Sequence, residues 1–242
     1  MLRSLQGQLA PLADAGFTVW VVSRRRNMPV GHSVADMADD YAQVITAELG
    51  GTVDLVAGLS YGGIIAQYLG ANHPQCLDRL APVLAACEVS EWGKDVDLRM
   101  ATALGAGNRP KAGEALAEYV MPGQRARPVR RVLGPLLGMI ATGQLQSGQD
   151  VLIEGRAEVA FDSREVLPQI EVPVLLIAAE RDLFFPKDRV QETARLIPDC
   201  VLVWLEGAGH LKAATSKRIA GHLLAFVNRD AGPGLPGLRR EA

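Results

Sequence analysis

The sequence predicts an α/β protein: a doubly wound, mainly parallel sheet with helices on both faces and a helical insertion over its carboxyl edge. Short, near-continuous apolar runs such as "VDLVA", "VPVLLIAA" and "CVLVWLE" alternate with stretches of helical period, the pattern of parallel strands buried on both sides. From Glu88 to about Val166 the alternation stops; that block is richer in Arg, Gly and Gln and holds no convincing strand. A length of 242 residues suffices for one large domain carrying such an insertion.

The elements follow in order. Leu2, Leu5, Leu9 and Leu12 recur at helical spacing, and Gly16 suits the C-terminal cap of that helix. "FTVWVV", Phe17 to Val22, is rich in β-branched and aromatic residues and predicts a strand. A loop with Pro29 and Gly31 leads to Ser33, a candidate N-cap for a helix from about Ala35 to Leu49, which Gly50-Gly51 ends. Val53–Ala57 is the next strand, Tyr61–Asn72 the next helix, and His73-Pro74 its terminator. A third strand is expected within Arg79–Ala86. Helical periods around Ala112–Tyr119 and Val129–Ile140 fall in the insertion. Strands at Val172–Ala179 and Cys200–Glu206 flank a helix near Arg189–Leu196, and a last helix runs from about Ser216 to Val227. The expected division is a core of residues 1–87 and 167–228, an insertion of 88–166, and a disordered tail of 229–242.

Composition narrows the partners. A net charge of −2 creates no strong field, which argues against nucleic acid or an anionic membrane. The one charge run, Arg24-Arg25-Arg26, reads as a solvated turn or as part of a site for an acidic substrate. Three cysteines without C-x-x-C spacing, Cys76, Cys87 and Cys200, read as free thiols in a reducing compartment. No signal-peptide pattern opens the chain, and the most apolar long window, Val132 to Thr142, is too short to span a bilayer. A cytoplasmic protein with a small-molecule substrate is expected, without a metal or organic cofactor.

The chemistry centres on "GLSYGG". Gly58-x-Ser60-x-Gly62 between a strand and a helix matches the nucleophile elbow, a turn tight enough to lift a serine hydroxyl clear of the sheet. Small residues two before and two after the serine let strand and helix approach. A serine needs a base, and the base an orienting acid. His210 in "EGAGH" follows the last strand, and Asp182 in "AAERDLFFP" follows the strand before it. Both thus fall on the sheet edge that carries Ser60. Glu180 and Glu88 are the alternative acids. Tyr61 offers its backbone N–H to an oxyanion. His32 is a candidate pocket residue because its loop leaves the same edge. Phe184 and Phe185 are candidate pocket walls, though core packing explains them nearly as well. His73 reads as a helix terminator and His222 as a helix-surface residue.

From the first helix to the last, the chain resembles the α/β-hydrolase family. The resemblance rests on "GLSYGG", "LLIAAERDLFFP", "LEGAGHLKAATSKRIAGHLLAF" and the helix "ADMADDYAQVI" before the elbow strand. It implies Ser60 as nucleophile, His210 as general base and Asp182 as its partner, in a hydrolase acting on a small ester, thioester or lactone. The fold also hosts ligand-binding proteins of little or no turnover, perhydrolases and carbon–carbon bond hydrolases. One departure stands out. The family has two or three strands before its first helix and an HG loop that supplies a second oxyanion donor; here Met1 falls at the start of that helix. The absent inner strand would lie between "FTVWVV" and "VDLVA". Either those two strands close up, or the natural chain begins upstream; the second is the expectation.

Overall fold

Apolar runs form the strands, and Ser90, Asn108 and Pro186 stand at the starts of three of the helices. A computed structural model describes residues 2–141 and 148–231. The order is α1 (Leu2–Asp14), α2 (Val34–Glu48), β1 (Val56–Leu59), α3 (Tyr61–Asn72), β2 (Leu80–Val83), α4 (Glu91–Gly105), α5 (Arg109–Val120), α6 (Arg127–Ala141), α7 (Gly148–Val159), β3 (Val174–Ala179), α8 (Lys187–Leu196), β4 (Cys200–Leu205), α9 (His210–Ala214) and α10 (Arg218–Val227). The chain divides into two compact units: residues 1–24, 37–88 and 162–242, and residues 25–36 and 89–161. The second unit therefore includes a loop that precedes the expected insertion, and it ends short of the expected boundary.

In the first unit the four strands form one parallel sheet in the order β1-β2-β3-β4. Alternate residues face opposite sides. Ala81, Val83, Leu175, Ile177, Ala179, Val201, Val203 and Leu205 share one core with Leu12 of α1 and with Leu223 and Phe226 of α10. The other face carries α3, whose Gly70 approaches so closely that an added Cβ would lie 2.7 Å from Leu80 Cδ2. β2 and β3 are buried along their whole length, which is why they read as continuous apolar runs. No helix among the described residues is long and apolar enough to cross a membrane.

The expected strand at Phe17–Val22 is not one. The segment forms no ladder with any described strand, and Val19, Trp20, Val21 and Val22 are 36–64% exposed. Tyr41 donates its hydroxyl to the Val22 carbonyl at 3.3 Å. β-propensity describes fit to a neighbouring strand, and without that neighbour an apolar run has nothing to pair with. The tail also differs at its start: Asn228–Ala231 forms a short 3-10 turn, while residues 232–242 lie outside the described residues. His222 is half-buried rather than on the surface, and burial lowers its pKa. All three cysteines are free; burial raises the Cys87 pKa and pushes that of Cys200 up to about 12.

An ion cluster joins the segment after β2 to α8. The Arg164 Nε and Nη2 donate to the two oxygens of Glu192 at 2.7 and 3.1 Å, and Nη2 also reaches Glu88 at 3.1 Å. Hydrogen bonds from Arg164 hold the Glu192 pKa down at about 2, against an ordinary 4.5. A depressed carboxylate contributes stability that is full above its unfolded-state value and is lost as pH falls towards the folded one. Arg164→Gln should therefore lower stability by about 2 kcal/mol at neutral pH, and by progressively less between pH 4.5 and 2. Urea melts of both proteins at pH 7 and pH 3 check this; an equal deficit at the two pH values would remove Glu192 from the account.

The second unit is helical. Ser90 Oγ caps α4 by accepting from Gly93 N, and Asn108 Oδ1 caps α5 by accepting from Lys111 N. α5 and α6 touch backbone to backbone, since a Cβ on Gly113 would meet the Gly134 carbonyl oxygen at 1.9 Å. The buried Asp150 of α7 accepts the backbone N–H groups of Asn27 and Met28 at 3.0 and 2.9 Å, which ties the 25–36 loop to this unit.

Candidate active site

Ser60 ends a strand with one backbone group and starts a helix with the other. Its N–H donates to Val83 O of β2 at 2.8 Å, and its carbonyl accepts from Gly63 N and Ile64 N of α3. Doing both within one residue forces φ to 55° and ψ to −115°, a conformation costly for a side chain with a Cβ. The two glycines that permit the turn are Gly58 and Gly63. A Cβ on Gly58 would lie 2.1 Å from Gly62 O, and one on Gly63 would lie 2.6 Å from Ala85 Cβ. Gly62 has open space where its Cβ would be, so the expectation that this position must be small is corrected. The crowding falls one residue later, where α3 first leans onto the end of β2.

The loops after β3 and β4 meet beside this turn. Arg181 N donates to Ala208 O at 2.9 Å, and Gly207 N donates to Glu180 Oε2 at 2.7 Å. His210, the first residue of α9, comes within 2.9 Å of Ser60 Oγ through its Nε2. Its Nδ1 lies 2.7 Å from Asp182 Oδ2. The three side chains form one continuous hydrogen-bonded series. Asp182 is held from its other oxygen too: Oδ1 accepts the backbone N–H groups of Phe184 and Phe185 at 2.8 and 3.2 Å. That side chain is 1% exposed and the His210 side chain 12%. Two backbone donors and an imidazole partner satisfy a carboxylate that would be costly to bury alone.

The Phe184 and Phe185 rings lie 4.8 and 6.0 Å from the His210 ring, centre to centre, and both residues are buried. They thus touch the base, and their amides hold the acid. The amide role was not anticipated, although an aspartate accepting from the residues two and three ahead is ordinary turn chemistry. The alternative acids are engaged elsewhere: Glu180 with Gly207, and Glu88 with Arg164 and Arg189. Tyr61 is the first residue of α3, where an amide has no carbonyl one turn back to bond within the helix. His73 caps the far end of α3 and pairs with Asp39 at 2.6 Å, well removed in role from this series.

His32 belongs to the second unit. It is buried there, its N–H donates to Pro29 O at 3.1 Å, and it helps Ser33 lower the Asp36 pKa, the Ser33 hydrogen bonds being the larger cause. Among the described residues no group of three or more His, Cys, Asp and Glu could hold a metal ion.

A model of the alpha/beta hydrolase family matches residues 3–219. The chain belongs to that family. Among its relatives, a protein of Yersinia enterocolitica provisionally named carbamate hydrolase RutD is 30% identical over 223 residues, spanning 85% of this chain and 73% of the relative. A pimeloyl-[acyl-carrier protein] methyl ester esterase of Neisseria meningitidis is 24% identical over 191 residues, 74% of this chain and 73% of that one. Among solved structures, an esterase from Exiguobacterium antarcticum superposes with a TM-score of 0.69 at 20% identity, covering 93% of this chain and 87% of its own. That last likeness is one of fold. This alpha/beta hydrolase is an enzyme of the broad hydrolase kind that its relatives' names describe.

Proposed function

We propose that the protein hydrolyses a small ester, thioester or lactone through a serine acyl-enzyme. The observation that carries this reading is the unbroken series from Ser60 Oγ to His210 Nε2 and from His210 Nδ1 to Asp182 Oδ2. His210 takes the Ser60 proton as the oxygen attacks the carbonyl carbon, and Asp182 stabilises the imidazolium that results. The Tyr61 amide donates to the oxyanion. The imidazolium then passes its proton to the leaving group, and the C–O or C–S bond to that group breaks. Water, deprotonated by the same imidazole, attacks the acyl-serine and frees the acid. Phe184 and Phe185 exclude solvent from one side of the base, where burial strengthens its bond to Asp182. The ester named for the Neisseria relative and the carbamate named for the Yersinia one are both acyl compounds open to this attack, which supports the substrate class without choosing within it.

A fluorophosphonate probe tests the reading directly. It reacts with a serine only when a base activates the hydroxyl, so labelling should map to Ser60 and to no other serine. A chain that stays unlabelled at neutral pH, while a known esterase in the same tube reacts, would count against an activated Ser60 and favour a binding protein.

A further inference from the structure

The helical unit holds a basic cleft that the reaction above does not use. Glu114 and Glu118 are one turn apart on α5, and Arg127, Arg130 and Arg131 share one side of the first turns of α6. The close approach of the two helices at Gly113 brings these sets together. With Arg99 of α4 they line a cleft of about 150 Å³, four arginines against two glutamates. Glu118 serves two of the cations: Arg99 Nη2 donates to its Oε2 at 3.1 Å, and Arg130 Nη2 lies 3.4 Å from the same oxygen. Arg99 Nε also donates to Asp95, at 2.8 Å. Arg130 is buried, and its Nη1 donates to the Met121 and Gly123 carbonyls at 2.7 Å, which fixes the guanidinium. Arg127 and Arg131 differ. Both are exposed, and among the described residues neither side chain has a hydrogen-bond or ion-pair partner.

We propose that this cleft binds the phosphate group of a soluble phosphorylated molecule, held by Arg127 and Arg131 beside the fixed Arg130. The proposal does not depend on the reading of Ser60. A guanidinium presents a planar fork of N–H donors, and a carboxylate has oxygens enough for only one such fork. A phosphate group brings three acceptor oxygens and nearly two negative charges, which suits two forks and an uncompensated pair of cations. The competing account is an ion-pair network that only ties α4, α5 and α6 together. Arg99, Arg130 and Glu118 suffice for that, and two further cations in the same cleft would add repulsion without a bond. The accounts part on Arg127 and Arg131, which an ion-pair network does not need.

The test is calorimetric titration of the full chain with inorganic phosphate at pH 7 and constant ionic strength, with Tm as a check on folding. Wild type should bind. Arg127→Gln and Arg131→Gln should each weaken binding about 10-fold or more, with Tm little changed because neither side chain has a described partner. Glu114→Gln, which removes a negative charge from the lining, should tighten binding about 3-fold or more. No binding by wild type, or binding that neither arginine substitution alters, would overturn the proposal. A large drop in Tm would assign the arginines to the fold, and Glu114→Gln then decides: tighter binding upholds the site and unchanged binding refutes it. Phenyl phosphate should bind as inorganic phosphate does. Sedimentation with vesicles of equal parts phosphatidylcholine and phosphatidic acid, without binding of either soluble anion, would refute a soluble ligand.

Discussion

Ser60→Ala is expected to lower ester turnover by about 10⁴-fold or more while leaving the protein folded. Among the described residues the Ser60 hydroxyl hydrogen-bonds His210, and the backbone bonds that shape the turn come from its N–H and carbonyl. Alanine keeps those bonds and the same Cβ at φ 55°, so Tm should move by only a degree or two. Residual catalysis would come from the oxyanion donor and from binding. kcat/KM on a p-nitrophenyl ester, with Tm measured on the same preparation, checks both halves. A variant that kept half its activity would remove Ser60 from the mechanism.

Asp182→Asn should cost about 10⁴-fold in kcat, for a reason visible in its hydrogen bonds. The asparagine oxygen can still accept from the Phe184 and Phe185 amides, so the turn survives. Its NH₂ group would then face His210 Nδ1, where the carboxylate oxygen now lies at 2.7 Å. An NH₂ donor there favours the tautomer with the proton on Nε2, and that nitrogen can no longer accept from Ser60. Glu180→Gln should cost less than about 5-fold, because an amide oxygen still accepts from Gly207 N and Glu180 does not touch the imidazole in the described contacts. The reverse order of effects would assign the acid to Glu180.

How much of this site could be read in advance depended on how local its causes are. Ser60, Asp182 and His210 each follow a strand of the sheet within a few residues, and in a parallel sheet the carboxyl ends of the strands share an edge. Strand position alone therefore brings the three together. The amides of Phe184 and Phe185 were harder to see, since a turn of that kind leaves only an aspartate followed by two ordinary residues. The crowding at Gly63 rather than Gly62 was invisible, because it depends on Ala85, which arrives from the next strand.

By itself the sequence determined the class of fold, the strands β1 to β4, the helices α1, α2, α3, α8 and α10 around them, and the three side chains drawn to one edge. Those follow from period, from burial on both faces and from turn chemistry, all carried by near neighbours in the chain. The sequence did not show α4, α7 or α9. The tertiary structure alone decided that Phe17–Val22 forms no strand, that the 25–36 loop joins the helical unit through Asp150, and that Arg24 lies over the ring beside the serine. A strand exists only with a partner, and a cation stacks only on a ring that comes to meet it. Both depend on residues far apart in sequence, so no local pattern can record them.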